Sequence, residues 1–183
     1  MLRIAVLVGS LRKESINLKF TKTLAKLAKD KMDFNIVELH DVPMYNEDLW
    51  ENIPESVPRL KKDIEFSDAV LFVTPEYNRS FTPVIKNAID WGTRPYGTNS
   101  WNNKPAAIIG ATEGAIGTAA AQSQLRAVVP VLGMPLMSQP EVYLQYKKDD
   151  FDAEHNVINP KTKEFFEKFL VSFEEWINRT AKK

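Results

Sequence analysis

Leu2-Arg3-Ile4-Ala5-Val6-Leu7-Val8 runs directly into Gly9-Ser10-Leu11-Arg12-Lys13-Glu14-Ser15-Ile16-Asn17, and the fold is organised around this junction. The apolar run reads as a buried strand, and the residues after Ser15 enter a helical pattern. A strand that turns sharply into a helix points unpaired backbone N–H groups and the positive end of the helix dipole at one spot, which suits phosphate. Ser10 and Ser15 add hydroxyl donors, Asn17 an amide and Arg12 a planar fork of donors. Charge-assisted hydrogen bonds of this kind contribute about 1.5–3 kcal/mol each, so a few of them anchor a phosphorylated ligand. On the loop alone, Ser10 or Ser15 as a plain helix cap and Arg12 as a solvated charge remain an equal alternative. The spacing matches neither G-x-x-x-x-G-K-[ST] nor G-x-G-x-x-G, which argues against a nucleoside triphosphate and more weakly against a dinucleotide on this loop.

A chain of 183 residues with 44% hydrophobic content suits a single globular domain spanning residues 1–183. Its 24 basic and 24 acidic residues cancel and form no basic stripe, so neither nucleic acid nor an anionic membrane is an expected partner. The absence of cysteine removes disulfides, thiolate metal sites and a cysteine nucleophile together. His40 and His155 stand far apart, neither with a second histidine at ligand spacing, and no metal site is expected. The first residues form a strand-like run carrying Arg3 rather than a signal-peptide pattern, and no stretch approaches membrane-spanning length, so a cytoplasmic protein is expected.

Outward from the junction, Phe20, Leu24 and Leu27 at helical spacing predict an amphipathic helix ending near Lys31. Phe34, Ile36, Val37 and Leu39 predict a second strand, followed by a polar connection from Asp41 to Pro54. Ser56 and Pro58 open a second helix, and Ala69 to Val73 forms a continuously apolar strand of the kind covered on both faces. That strand ends in Thr74-Pro75-Glu76-Tyr77-Asn78-Arg79-Ser80, after which Thr82-Pro83 starts a helix running to Gly92. Thr93 to Asn103 is too broken for a regular element and reads as a lid or contact loop. Pro105 to Gly110 predicts a fourth strand, leading through Ala111 to Gly117 into an alanine-rich helix. Met134 to Val142 predicts a fifth, edge-like strand because it contains Pro135 and Pro140. Lys147 to Asn159 reads as exposed connection, and Phe165, Phe169, Phe173 and Trp176 mark a final helix.

Strands alternating with helices predict an α/β fold: a flavodoxin-like three-layer sandwich with a five-stranded parallel sheet of order 2-1-3-4-5 and helices on both faces. In that order the first and third strands are neighbours at the switch point. Gly9 to Asn17 and Pro75 to Ser80 then open into one crevice, with the region of Thr112 as its far wall. A phosphate would sit on the first loop and a flat aromatic body over the other two.

Gly9-Ser10-Leu11-Arg12-x-x-Ser15-x-Asn17, Pro75-Glu76-Tyr77-Asn78-x-Ser80, Lys86-Asn87-Ala88-Ile89-Asp90-Trp91 and Gly110-Ala111-Thr112-x-Gly114-x-x-Gly117 together resemble the NADPH-dependent FMN reductase family. That family includes flavodoxin-like quinone, azo and chromate reductases. The resemblance implies bound FMN, its phosphate held by Ser10, Arg12, Ser15 and Asn17 and its ring bordered by Pro75, Glu76, Tyr77, Asn78 and Thr112. Backbone groups around Glu76 to Asn78 suit the polar pyrimidine edge of a flavin, and Tyr77 suits its flank; taken alone, Tyr77 is equally an exposed turn aromatic and Glu76 a helix-dipole partner. Asn87, Asp90 and Trp91 belong to helix packing or a subunit contact.

The implied activity is a ping-pong cycle in which NADPH or NADH gives hydride to FMN and then leaves before a quinone, azo compound or similar small-molecule acceptor takes the electrons. No residue is assigned as catalytic acid, base or nucleophile, since the proton for a quinone can come from solvent. The resemblance, with aromatics at Tyr45, Trp50, Tyr96 and Trp101, also implies a homodimer or homotetramer. Two departures affect acceptor range and subunit contacts: Val84 stands where many members carry glycine, and Ala120 where many carry arginine. An electron-carrier flavoprotein and a non-flavin binder of phosphorylated ligands remain alternatives on the same fold.

Overall fold

The computed structural model describes residues 1–181. Strands β1 (Leu2–Val8), β2 (Met32–Ile36), β3 (Ala69–Val73), β4 (Ala106–Thr112) and β5 (Val142–Gln145) form one parallel sheet in the order β2-β1-β3-β4-β5. Five helices cover it: α1 (Ile16–Ala28), α2 (Ser56–Glu65), α3 (Pro83–Gly92), α4 (Ala119–Val128) and α5 (Pro160–Thr180). This is the flavodoxin-like sandwich expected from the alternation of patterns.

The two-residue period of the strands divides the core between two faces. Ile4, Val6, Leu71, Val73 and Ile109 pack with Phe20 and Leu24 of α1 and with Phe166, Phe169 and Phe173 of α5. Ala5, Leu7, Val70, Phe72 and Ile108 pack on the other side with Leu60 and Ile64 of α2 and Ile85 and Ile89 of α3. Strands β1 and β3 are covered on both faces, which explains their uninterrupted apolar sequence.

Four expectations are corrected. Helix α1 stops at Ala28 and β2 begins at Met32, so Val37 and Leu39 are buried beyond the strand instead of within it. The fifth strand is Val142–Gln145, not Met134 to Val142. Pro135 and Pro140 keep the earlier segment out of the ladder apart from one bridge between Leu136 and Ala106. The segment from Lys147 to Asn159 is not merely exposed: Phe151 and Val157 are buried and paired, and Phe151 stacks on Tyr146 at 4.8 Å.

Trp101 is fully buried rather than a contact residue, and it donates its Nε1–H to Ile89 O at 3.2 Å. Its indole lies against Gly92, where an added Cβ would fall 2.3 Å from Nε1. Lys61 secures the same loop by donating to the carbonyls of Arg94 at 2.9 Å and Thr98 at 2.6 Å. The Gly92→Ala substitution is expected to lower stability by about 1–3 kcal/mol through overpacking. Urea unfolding reads this directly, and an unchanged midpoint contradicts the tight Gly92–Trp101 contact.

Candidate functional site

The loops after β1, β3 and β4 meet at the carboxyl end of the sheet. Their closeness depends on Gly9, where a Cβ would lie 2.6 Å from Thr82 Oγ1, 2.9 Å from Ile85 Cδ1 and 3.1 Å from Pro75 Cδ. Gly9 N also donates to Val73 O at 2.9 Å, so the first loop leaves the sheet still attached to β3.

In that loop Ser10 is half-buried and Arg12 is exposed. Among the described residues, the backbone N–H groups of Ser10, Leu11, Arg12 and Lys13 and the Arg12 guanidinium have no hydrogen-bond acceptor. Ser15 is buried and caps α1: its Oγ accepts from Leu18 N at 3.2 Å, which leaves its own hydroxyl hydrogen to donate. Asn17 is committed differently from the free donor that the sequence suggests. Its Oδ1 accepts from Ala111 N and its Nδ2 donates to Ala111 O, both at 2.9 Å, so it ties the first turn of α1 to β4 and keeps one amide hydrogen in reserve.

The loop after β3 begins with buried Thr74 and Pro75 and tightens into a turn. Tyr77 and Ser80 exchange N–H···O bonds, both at 3.0 Å, around Asn78 at φ 50° and Arg79 at φ 66°. Two successive left-handed residues define a type I′ turn. Tyr77 presents an exposed side chain at its shoulder. The Glu76 carboxylate points toward α4, accepting from Ala120 N at 3.0 Å and Ala121 N at 3.2 Å. Thr118, before α4, is left-handed at φ 71° and makes no side-chain cap, so Glu76 supplies the cap from another element. The helix-dipole role is therefore realised by its side chain.

Thr112 stands at the end of β4, half-buried, with Oγ1 accepting from Gly114 N at 3.4 Å. Val84 lines a small apolar hollow of about 130 Å³ with Leu11, Val42 and Met44. The packing expected of Asn87 and Trp91 is present: Asn87 Nδ2 and Trp91 Nε1 each donate to Pro43 O at 2.8 Å. Asp90 pairs with Lys86 at 2.7 Å.

Gln124 carries no sequence signal, and the Thr82 hydroxyl departs from the role that the sequence suggests. Gln124 Nε2 donates to Arg79 O at 2.5 Å, and its Oε1 accepts from Ser80 Oγ at 2.8 Å. An ordinary polar residue on a helix, it gains meaning only when α4 packs beside the turn. Thr82 is buried at the start of α3 with an Oγ1 that has no partner. Thr82-Pro83 does start α3, but that hydroxyl makes no cap.

The family described as NADPH-dependent FMN reductase matches residues 2–149. The chain belongs to that family. It is 43% identical over 176 residues to a 2-hydroxy-1,4-benzoquinone reductase of a Burkholderia species, covering 96% of each chain. It is 45% identical over 175 residues to a quinone reductase of Pseudomonas putida, covering 95% of this chain and 94% of the relative. Among solved structures, the flavoenzyme NAD(P)H:(acceptor) oxidoreductase FerB of Paracoccus denitrificans aligns over 100% of both chains, with TM-score 0.98 and 49% identity.

In this member of the FMN reductase family, Glu76→Ala is expected to destabilise the fold by about 1–2 kcal/mol, because two N–H groups at the start of α4 lose their partner. Glu76→Gln, which keeps an acceptor without the charge, is expected to cost less. Equal stability of all three proteins in chemical denaturation contradicts the cap.

Proposed function

We infer that this crevice is the FMN site of an FMN-dependent NAD(P)H oxidoreductase that reduces quinones and related small-molecule acceptors. The observation that carries the reading is the first loop: four backbone N–H groups and one guanidinium without internal acceptors, gathered before the N-terminus of α1. That donor set fits a phosphate dianion. Ser10 and Ser15 add hydroxyls, and Asn17 holds the helix in place through Ala111 while offering its second amide hydrogen.

The turn from Pro75 to Asn78 and the hydroxyl of Thr112 suit a flat, polar-edged ring system, with Tyr77 beside it. When bound, FMN supplies the hydride chemistry. The residues of this chain bind and orient: the α1 junction fixes the phosphate, and the Glu76–α4 contact fixes the turn. We assign no acid or base among them. The quinone reductase names of the two relatives support the acceptor class, and the family description and the NAD(P)H-linked name of FerB support NADPH or NADH as donor.

Self-association into a dimer or tetramer belongs to the same proposal, as does a cytoplasmic location, where reduced nicotinamide nucleotides are supplied. The aromatic support for association narrows to Tyr96, which is 85% exposed with the Arg94 guanidinium over its ring. Tyr45 packs edge-on against Trp91, Trp50 is half-buried, and Trp101 is core. Among the described residues, no helix is long and apolar enough to cross a membrane. Sedimentation at micromolar concentration is expected to show a dimer or larger species, and a monomer refutes self-association.

Protein incubated with FMN and desalted is expected to keep a flavin spectrum that NADPH bleaches rapidly and a benzoquinone restores. Arg12→Ala is expected to weaken FMN retention by about 10- to 100-fold, the equivalent of one charge-assisted hydrogen bond. Folded protein that stays colourless favours the non-flavin phosphate ligand instead. Flavin that NADPH reduces negligibly favours the electron carrier.

A further inference from the structure

We propose that Gln124 is a positioning residue for the turn that flanks the flavin: from α4 it holds Asn78 and Arg79 in their left-handed conformation and so tunes the affinity and reduction potential of bound FMN. The inference rests on the FMN reading and assigns a function to a residue outside the motifs.

The turn needs holding. Asn78 at φ 50° tolerates the left-handed region, but Arg79 at φ 66° has no such chemical excuse. Reciprocal bonds between Tyr77 and Ser80 close the turn without fixing where it lies on the protein. Gln124 fixes that position with both ends of one amide, donating to Arg79 O and accepting from Ser80 Oγ. Among the described residues, neither group has another hydrogen-bond partner of this kind. The Arg79 guanidinium reaches only Glu76 Oε1 at 3.4 Å, and its side chain is 70% exposed, so it does not replace the amide.

Gln124 also lies one helical turn beyond Ala120 and Ala121, whose N–H groups hold Glu76. The turn is therefore fastened to one helix at two points, its base through Glu76 and its tip through Gln124. A tip held this way keeps the Asn78 N–H, which has no partner within the turn, in register with a ring's polar edge. Hydrogen bonds to that edge bear differently on oxidised and reduced flavin, so their displacement moves the potential.

Glutamine is required because the tip needs a donor and an acceptor from one side chain. Alanine offers neither. A glutamate carboxylate keeps the acceptor but faces Arg79 O with a second oxygen; when protonated, it regains a donor. The charged pair of the turn itself, Arg79 and Glu76 at 3.4 Å, is unchanged in the two variants. Because Gln124 is exposed, its replacement leaves the core intact.

The test compares wild type, Gln124→Ala and Gln124→Glu by FMN titration, visible spectrum and midpoint potential of the loaded protein, with thermal unfolding of the apoproteins as control. Gln124→Ala is expected to weaken FMN binding about three- to tenfold, to shift the flavin bands and potential, and to leave the unfolding midpoint nearly unchanged. Gln124→Glu is expected to match it at neutral pH and to bind progressively better than Gln124→Ala as the pH falls through the carboxyl range. Variants that keep the wild-type affinity, spectrum and potential overturn the role of Gln124. So does a Gln124→Glu protein that follows Gln124→Ala at every pH. Wild type that retains no FMN refutes the flavin reading itself and this inference with it.

Discussion

The approach of the Gly9 backbone to Thr82, Ile85 and Pro75 is the contact on which the site depends. Parallel pairing of β1 with β3 brings their carboxyl ends side by side, but only a residue without a Cβ lets the first loop settle onto the start of α3. Asn17 then fastens the next turn of the chain to Ala111 of β4. Three neighbouring strands of the sheet are thus tied together at their carboxyl ends, beside the unpaired donors of the first loop.

Helix termini decide where an anion belongs. α1, α3 and α4 all begin at this end of the sheet, yet they are not equivalent. α4 already has its negative partner in the Glu76 carboxylate. α3 opens with Pro83, which has no N–H to give, behind a buried Thr82 hydroxyl. α1 alone is preceded by a run of unpaired N–H groups, two serines and Arg12. Of these three termini, α1 is the one that pairs free N–H donors with a cation, which is why the proposed phosphate site is placed there.

Much of this was legible in the sequence, for identifiable reasons. β1 and β3 declare themselves as uninterrupted apolar runs because both faces are covered, and the alternation with amphipathic helices implies a parallel sheet that five units fit in the order 2-1-3-4-5. Motif loops at the carboxyl ends then fall together by topology. β5 was displaced because Val142–Gln145 is short and preceded by apolar residues around prolines, which read as strand without pairing as one. Trp101 looked like a surface aromatic since its broken surroundings conceal a buried indole held through Gly92 and Ile89. Asn17, Glu76 and Gln124 act across separations of 94, 44 and 44 residues, respectively, and no local pattern carries contacts of that range.

Titration of the apoprotein with FMN and with riboflavin, which differ only in the phosphate, tests the anchoring role of the α1 junction most directly. With three or more charge-assisted contacts at the junction, FMN is expected to bind at least ~100-fold more tightly than riboflavin. Equal affinity for the two flavins contradicts a phosphate site at Ser10, Arg12 and Ser15.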